Sequence, residues 1–132
     1  MPDRQELDRL LAGLRPELHA EPYVYAQGPA PAGTRVFATV AEDEGLTLVL
    51  TGDEAAAAGL RPEWTAARIT LGVDSTVTDV GLTATVSSRL AARGIPCNVI
   101  AGLAHDHLFV PEDRAGEALE LLQHLAREAS SG

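Results

Sequence analysis

The chain is short of several things, and each shortage excludes a class of function. It has one cysteine, Cys97, in 132 residues, so no internal disulfide can staple it. Basic residues are scarce: ten Lys and Arg stand against 19 Asp and Glu, a formal charge of −9, which repels nucleic-acid phosphates and anionic lipid surfaces. Neither nucleic acid nor a membrane is therefore expected as a partner. No apolar run approaches the roughly 18 residues of a membrane span, and MPDRQELDRL has neither the basic nor the apolar region of a secretory leader. A cytoplasmic location is the simplest expectation.

What the chain does have is 45% apolar residues, enough for a core in one compact unit or in two half-size lobes sharing an interface. Leu7, Leu10, Leu11 and Leu14 follow Asp3 at helical spacing, and Glu6 completes a capping box with Asp in the first position. Arg15-Pro16 is expected to stop that helix. Residues 22–26 read as a strand through Tyr23, Val24 and Tyr25. QGPAPAG at 27–33 is a loop by composition, and RVFATV and LTLVLT around AEDEG read as a hairpin with the acidic residues 42–44 at its solvated tip. Asp53 is placed to cap the alanine turn 55–58, and Gly59 to end it. The first lobe is thus expected to span 1–62.

The second lobe, 63–132, opens near Trp64, with Ala67, Ile69, Leu71 and Val73 alternating against Arg68, Thr70 and Asp74. DSTVTDVG leads into a helix with Leu82, Val86 and Leu90 on one face and Gly94 at its left-handed end. Residues 95–101 read as a strand, GLAHD as a turn and HLFV as the return strand, with Ala101 pairing near Asp106. Ala115, Ala118, Leu119, Leu122, Leu125 and Ala126 mark a last amphipathic helix. The order β-α-β-β-α stops before the fourth strand of a ferredoxin-like unit, and the first lobe lacks a leading strand. Two incomplete lobes that finish one another are expected, since an uncovered sheet edge invites aggregation.

GVDSTVTDVGLTATVSSRLAARGIPCNVIAGLAHDHLFVPEDRAGEALELL closely resembles the ACT domain, in particular small bacterial tandem-ACT proteins, and the likeness covers residues 68–125. IPCNVIAG followed by HDHLFVPEDRAGEAL carries most of the likeness, which extends to the ACT lobes of eukaryotic cytosolic arginine sensors. The resemblance implies an α+β fold: two ferredoxin-like ACT lobes side by side, antiparallel sheets with helices on one face. It also implies a regulatory module that binds an amino acid or similar small ligand between ACT units, with no cofactor and no catalysis of its own, and a homodimer as one assembly. In the family the ligand loop after the first strand falls on Asp79, Val80, Gly81 and Leu82.

A free amino acid is a zwitterion, so its carboxylate suits backbone N–H groups at a helix start and its ammonium suits carbonyl or carboxylate oxygens. The DVGL loop can supply both; equally, Asp79 can be only an N-cap and Gly81 an ordinary loop residue. Asn98, taken as mid-strand on the face opposite Cys97 and Val99, can bind ligand polar atoms or bond a neighbouring loop, and Ile100 on the same face can supply an apolar wall. His105 and His107 point the same way on a strand, but two histidines do not make a zinc centre, and nothing in the sequence places His19 or His124 near them. No metal is expected. His107 beside the ligand is the stronger reading, with a charge change near pH 6.5 able to tune binding.

Cys97 with a histidine is the only nucleophile pair the sequence offers, and the hairpin register sets it nearer Val110 than His107. It reads instead as a small core residue, and Trp64 as an aromatic seal between lobes. Three functions compete: an amino-acid sensor, a structural dimerisation module with no small ligand, and a small hydrolase or transferase using Cys97 or His107. The first is favoured by the DVGL loop and the family resemblance.

Overall fold

The structure, a computed structural model, describes residues 4–73 and 81–131. Contacts divide the chain into two compact units, residues 20–67 and residues 1–19 with 68–132. The division falls inside one strand.

Residues 20–67 hold β2 (Tyr23–Gln27), β3 (Ala38–Glu42), β4 (Gly45–Thr51), α2 (Gly52–Ala57) and the first half of β5 (Pro62–Gly72). The sheet order is β3-β4-β2-β5 with antiparallel neighbours. Glu42 pairs with Gly45, so only Asp43 and Glu44 make the hairpin tip, and both are exposed as the charge run predicts. Where a ferredoxin-like unit would place its first helix, the Pro/Gly loop after β2 crosses instead. Its Ala30 and Val36 pack on Val24, Ala26, Leu48, Leu50 and Ala55.

The cap of α2 differs from expectation. Thr51, not Asp53, is the N-cap, and its hydroxyl accepts the Glu54 N–H at 3.3 Å while Asp53 lies in the first turn. Thr51 ends the strand in extended geometry, which is the backbone an N-cap needs. Gly59 ends the helix at φ +71, and the Gly59 and Leu60 N–H groups close on Ala56 and Ala55 carbonyls at 3.1 and 2.9 Å.

The other unit is built from α1 (Arg4–Ala12), β1 (Arg15–Leu18), the second half of β5, α3 (Leu82–Ala92), β6 (Asn98–Ala101), β7 (Asp106–Pro111), a single 3-10 turn and α4 (Ala115–Ser131). The helix stop at Arg15-Pro16 is displaced: α1 ends at Ala12, and Pro16 lies inside β1. An edge strand tolerates proline because half its N–H groups need no partner strand. β1 pairs antiparallel with β5 from Arg15–Gly72 to Leu18–Ile69, and the His19 N–H extends the ladder to the Arg68 carbonyl at 3.0 Å.

The sheet order β1-β5-β7-β6 therefore contains the fourth strand that the C-terminal sequence lacks. It comes from the N-terminal segment. Ile69, Leu71, Leu108 and Val110 are buried on the sheet, and Leu10 and Leu11 of α1, Val86 and Leu90 of α3, and Leu122 and Leu125 of α4 are buried on the helices. Each fully buried aliphatic side chain of this size contributes roughly 1.5–3 kcal/mol.

Gly94, at φ +69, closes α3 with the Gly94 and Ile95 N–H groups on the Ala91 and Leu90 carbonyls. Because Ile95 belongs to that closure, β6 starts at Asn98 and not at Ile95. The β6–β7 register is the expected one: Ala101–Asp106, Ile100–His107, Val99–Leu108 and Asn98–Phe109. Among the described residues no helix is long and apolar enough to cross a membrane.

Candidate functional site

Two features of the second unit bring predicted site residues together, the start of α3 and the β6–β7 hairpin. Gly81 is the N-cap of α3, at φ +100 and ψ −21, a backbone region that side chains resist. It offers no capping side chain, and its carbonyl takes the Thr85 N–H at 2.9 Å. The first-turn amides after it are among those that a helix leaves without an intrahelical acceptor. Leu82 turns its side chain into the core, at 3% exposure, so any contact it offers a ligand at this helix start is through its backbone. Asp79 and Val80 lie outside the described residues.

The first turn of α3 is tied to the start of β7, where Thr83 Oγ1 donates to Asp106 Oδ2 at 3.4 Å. The β6–β7 turn closes with the Gly102 N–H on the His105 carbonyl at 2.9 Å, and a Cβ at residue 102 would stand 3.1 Å from that carbonyl oxygen. Ile100 and His107 face each other directly across the pair. Asn98 is not mid-strand: it opens β6 and is exposed, so burial places no demand on its amide. It shares the face of Ile100 and His107 through alternation and its pairing with Phe109.

His107 belongs to a polar chain that the sequence reading missed. Arg68 Nη2 lies 3.3 Å from His107 Nδ1, and a guanidinium only donates, so Nδ1 is the acceptor. Thr70 Oγ1, 3.1 Å from the same nitrogen, then donates to it and itself accepts from His19 Nε2 at 2.7 Å. The order of donation is His19 to Thr70 to His107, with Arg68 converging on the end. Burial holds the His107 imidazole below its ordinary pKa, and the charges of Arg68, His105 and His19 push the same way against Asp106. The neutral ring is thus the one these hydrogen bonds require.

β1 is what delivers His19 to this chain, contrary to the expectation that nothing places it near His107. Arg68 and Thr70 were visible as the polar positions of an apolar strand. Their partners were not.

Cys97 is half-buried and outside the core, contrary to the expectation of a small core residue. Burial pushes the Cys97 thiol up to about 11, which favours the protonated form over the reactive thiolate. Its only hydrogen bond among the described residues is a 3.9 Å contact to the Asn98 carbonyl. Trp64 packs edge-on against Tyr25, its cross-strand partner, with ring centroids 5.2 Å apart. Among the described residues no group of three or more His, Cys, Asp or Glu is placed to hold a metal ion.

Comparison with known proteins sorts these features. ACT domain family models match residues 3–67 and 65–124. A structure of a protein of unknown function from Vibrio cholerae, described as a possible transport protein, is 41% identical, with 92% of this chain and 97% of that one covered and a TM-score of 0.81. An Agrobacterium tumefaciens protein is 19% identical over 86% and 89% of the two chains at a TM-score of 0.62. The regulatory subunit of aspartate kinase from Thermus thermophilus, in its ligand-free form, shares the fold at 13% identity, a TM-score of 0.67 and coverage of 83% and 95%. No curated protein matches the sequence. ACT domains are regulatory modules that bind small-molecule ligands and often dimerise, and this chain belongs to the ACT domain family, with two ACT domains in tandem.

Proposed function

We propose that the protein is a non-enzymatic regulator that senses an amino acid or similar small molecule at an interface between ACT domains, working as a homodimer in the cytoplasm. Along the sequence the domains divide near residue 62, in keeping with family matches at 3–67 and 65–124. The single observation that carries the reading is the start of α3. A glycine in the left-handed region opens the helix without a capping side chain, at the family's ligand loop. In this reading the Gly81 and Leu82 backbone, with Asp79 and Val80 before it, holds the zwitterion, Ile100 and Asn98 form a wall, and His107 adds a polar edge.

Thermal-shift scans with the common amino acids test it. A ligand at about 100 times its dissociation constant adds about 2.7 kcal/mol of stability. A response to one or a few amino acids that is lost in Gly81→Val supports sensing, since a β-branched residue cannot adopt that backbone. No response to any of them at millimolar concentration favours the alternative, a dimerisation module whose partner binds regardless of added amino acids.

A further inference from the structure

The unit formed by residues 20–67 carries a surface cavity of its own, of about 490 Å³, within the usual range for small-molecule sites, about 300–1,000 Å³. It lies at the end of the sheet where β2 begins and β4 ends. Tyr23, which is buried, Phe37 and Val36 make an apolar lining, and the Tyr23 and Phe37 rings meet edge to face with centroids 6.0 Å apart. Glu21, Arg35 and Asp53 are exposed at its rim. Glu54 is committed, since its Oε1 accepts the Arg35 backbone N–H at 2.8 Å.

The charged rim groups are differently placed. Among the described residues no hydrogen bond or ion pair engages the Glu21 or Asp53 carboxylate or the Arg35 guanidinium. Arg89 is paired with Glu128 at 3.1 Å and Arg114 with Glu117 at 2.9 Å, whereas Arg61 and Arg127, like Arg35, have no carboxylate partner among the described residues. Here a cation and two carboxylates stand uncommitted around an aromatic-lined hollow. A guanidinium fork suits a carboxylate, two carboxylates suit an ammonium, and the apolar lining suits a hydrocarbon or aromatic tail.

We propose that this cavity binds a free amino acid with an apolar side chain, through Arg35 at its carboxylate, Glu21 and Asp53 at its ammonium, and Phe37 and Val36 at its tail. The site is separate from the start of α3. That the occupant is an amino acid rests in part on the sensing reading.

The test is amide chemical-shift mapping on the full chain with L-leucine and L-phenylalanine at millimolar concentration, beside 4-methylpentanoate and leucinamide, which lack the ammonium and the carboxylate. Saturable shifts at Val36, Phe37, Thr51 and Asp53 with the amino acids, and not with the two truncated probes, are expected. Arg35→Gln, which keeps the backbone bond to Glu54, is expected to weaken them by about tenfold or more, and Asp53→Asn similarly. Both positions are exposed, so folding is preserved, and an unchanged spectrum elsewhere confirms it. Shifts confined to the start of α3 and the β6–β7 hairpin overturn this site and leave the sensing reading standing. Shifts here that are indifferent to Arg35→Gln and Asp53→Asn overturn it as well. Silence at both places overturns both readings.

Discussion

Gly72 lies opposite Arg15 in the β1–β5 pair, and a Cβ at residue 72 would stand 2.9 Å from the Arg15 carbonyl oxygen. That distance is shorter than real Cβ contacts, and the atom it meets is backbone, which cannot swing aside. The one glycine of β5 is therefore what lets the N-terminal segment lie down as the fourth strand. Gly72→Ala is expected to destabilise the fold by about 1–3 kcal/mol through forced backbone shifts, with the β1 amides losing hydrogen-exchange protection first. Urea unfolding with residue-resolved exchange checks it. Unaltered protection at Glu17 and Leu18 would mean the strand has room to spare.

Thr70 is the pivot between two imidazoles, and it is the one buried polar side chain among the described residues, at 8% exposure. Thr70→Val keeps the shape and removes the hydroxyl, leaving a donor on His19 and an acceptor on His107 without their shared partner. A loss of about 1–3 kcal/mol is expected, with Thr70→Ser recovering most of it. Denaturant titration of both variants decides the matter. Equal stability of Val and Ser variants would show that packing, not hydrogen bonding, holds residue 70.

Much of this was legible in the sequence where the information is local. Leu82, Val86 and Leu90 gave α3 its buried face, Gly94 its closure, and the spacing from Asn98 to Phe109 its hairpin register. β1 was hidden because four residues, one of them proline, show no usable periodicity and gain their identity only from β5, some 50 residues away in sequence. His19 was lost with it, and so was the polar chain. The placing of Asn98 erred for a related reason: the run 95–101 is uniformly strand-like, and only the helix closure at Ile95 shows where pairing begins.

His107 makes the acid limb of the stability profile predictable in sign. Its folded pKa is lowered, so the unfolded chain takes up a proton near the ordinary value of about 6.5 while the folded chain resists. Above that pH both states are neutral and the residue adds no pH dependence. As the pH falls through about 6.5 the unfolded state binds more protons and stability drops, until the folded value is passed and the loss levels off. His107→Asn keeps an oxygen able to accept from Arg68 but cannot titrate. Its stability is expected to fall less than that of the wild type across this window, measured by urea unfolding at a series of pH values. Parallel curves for the two proteins would remove His107 from the acid response.

Cys97 offers a check on the non-catalytic reading that needs no ligand. A thiol pushed up to about 11 by burial holds little thiolate near neutrality. Against an ordinary cysteine with a pKa of about 8.5, the thiolate fraction at pH ~8 is lower by roughly a hundredfold, and alkylation follows the thiolate. Native protein is expected to react with iodoacetamide about a hundred times more slowly than free cysteine at that pH, and at the ordinary rate once unfolded in urea. The native rate should keep climbing with pH past the point at which the free thiol saturates. Fast labelling of the folded chain at neutral pH would instead reveal an activated thiol and reopen covalent chemistry at the β6 entrance.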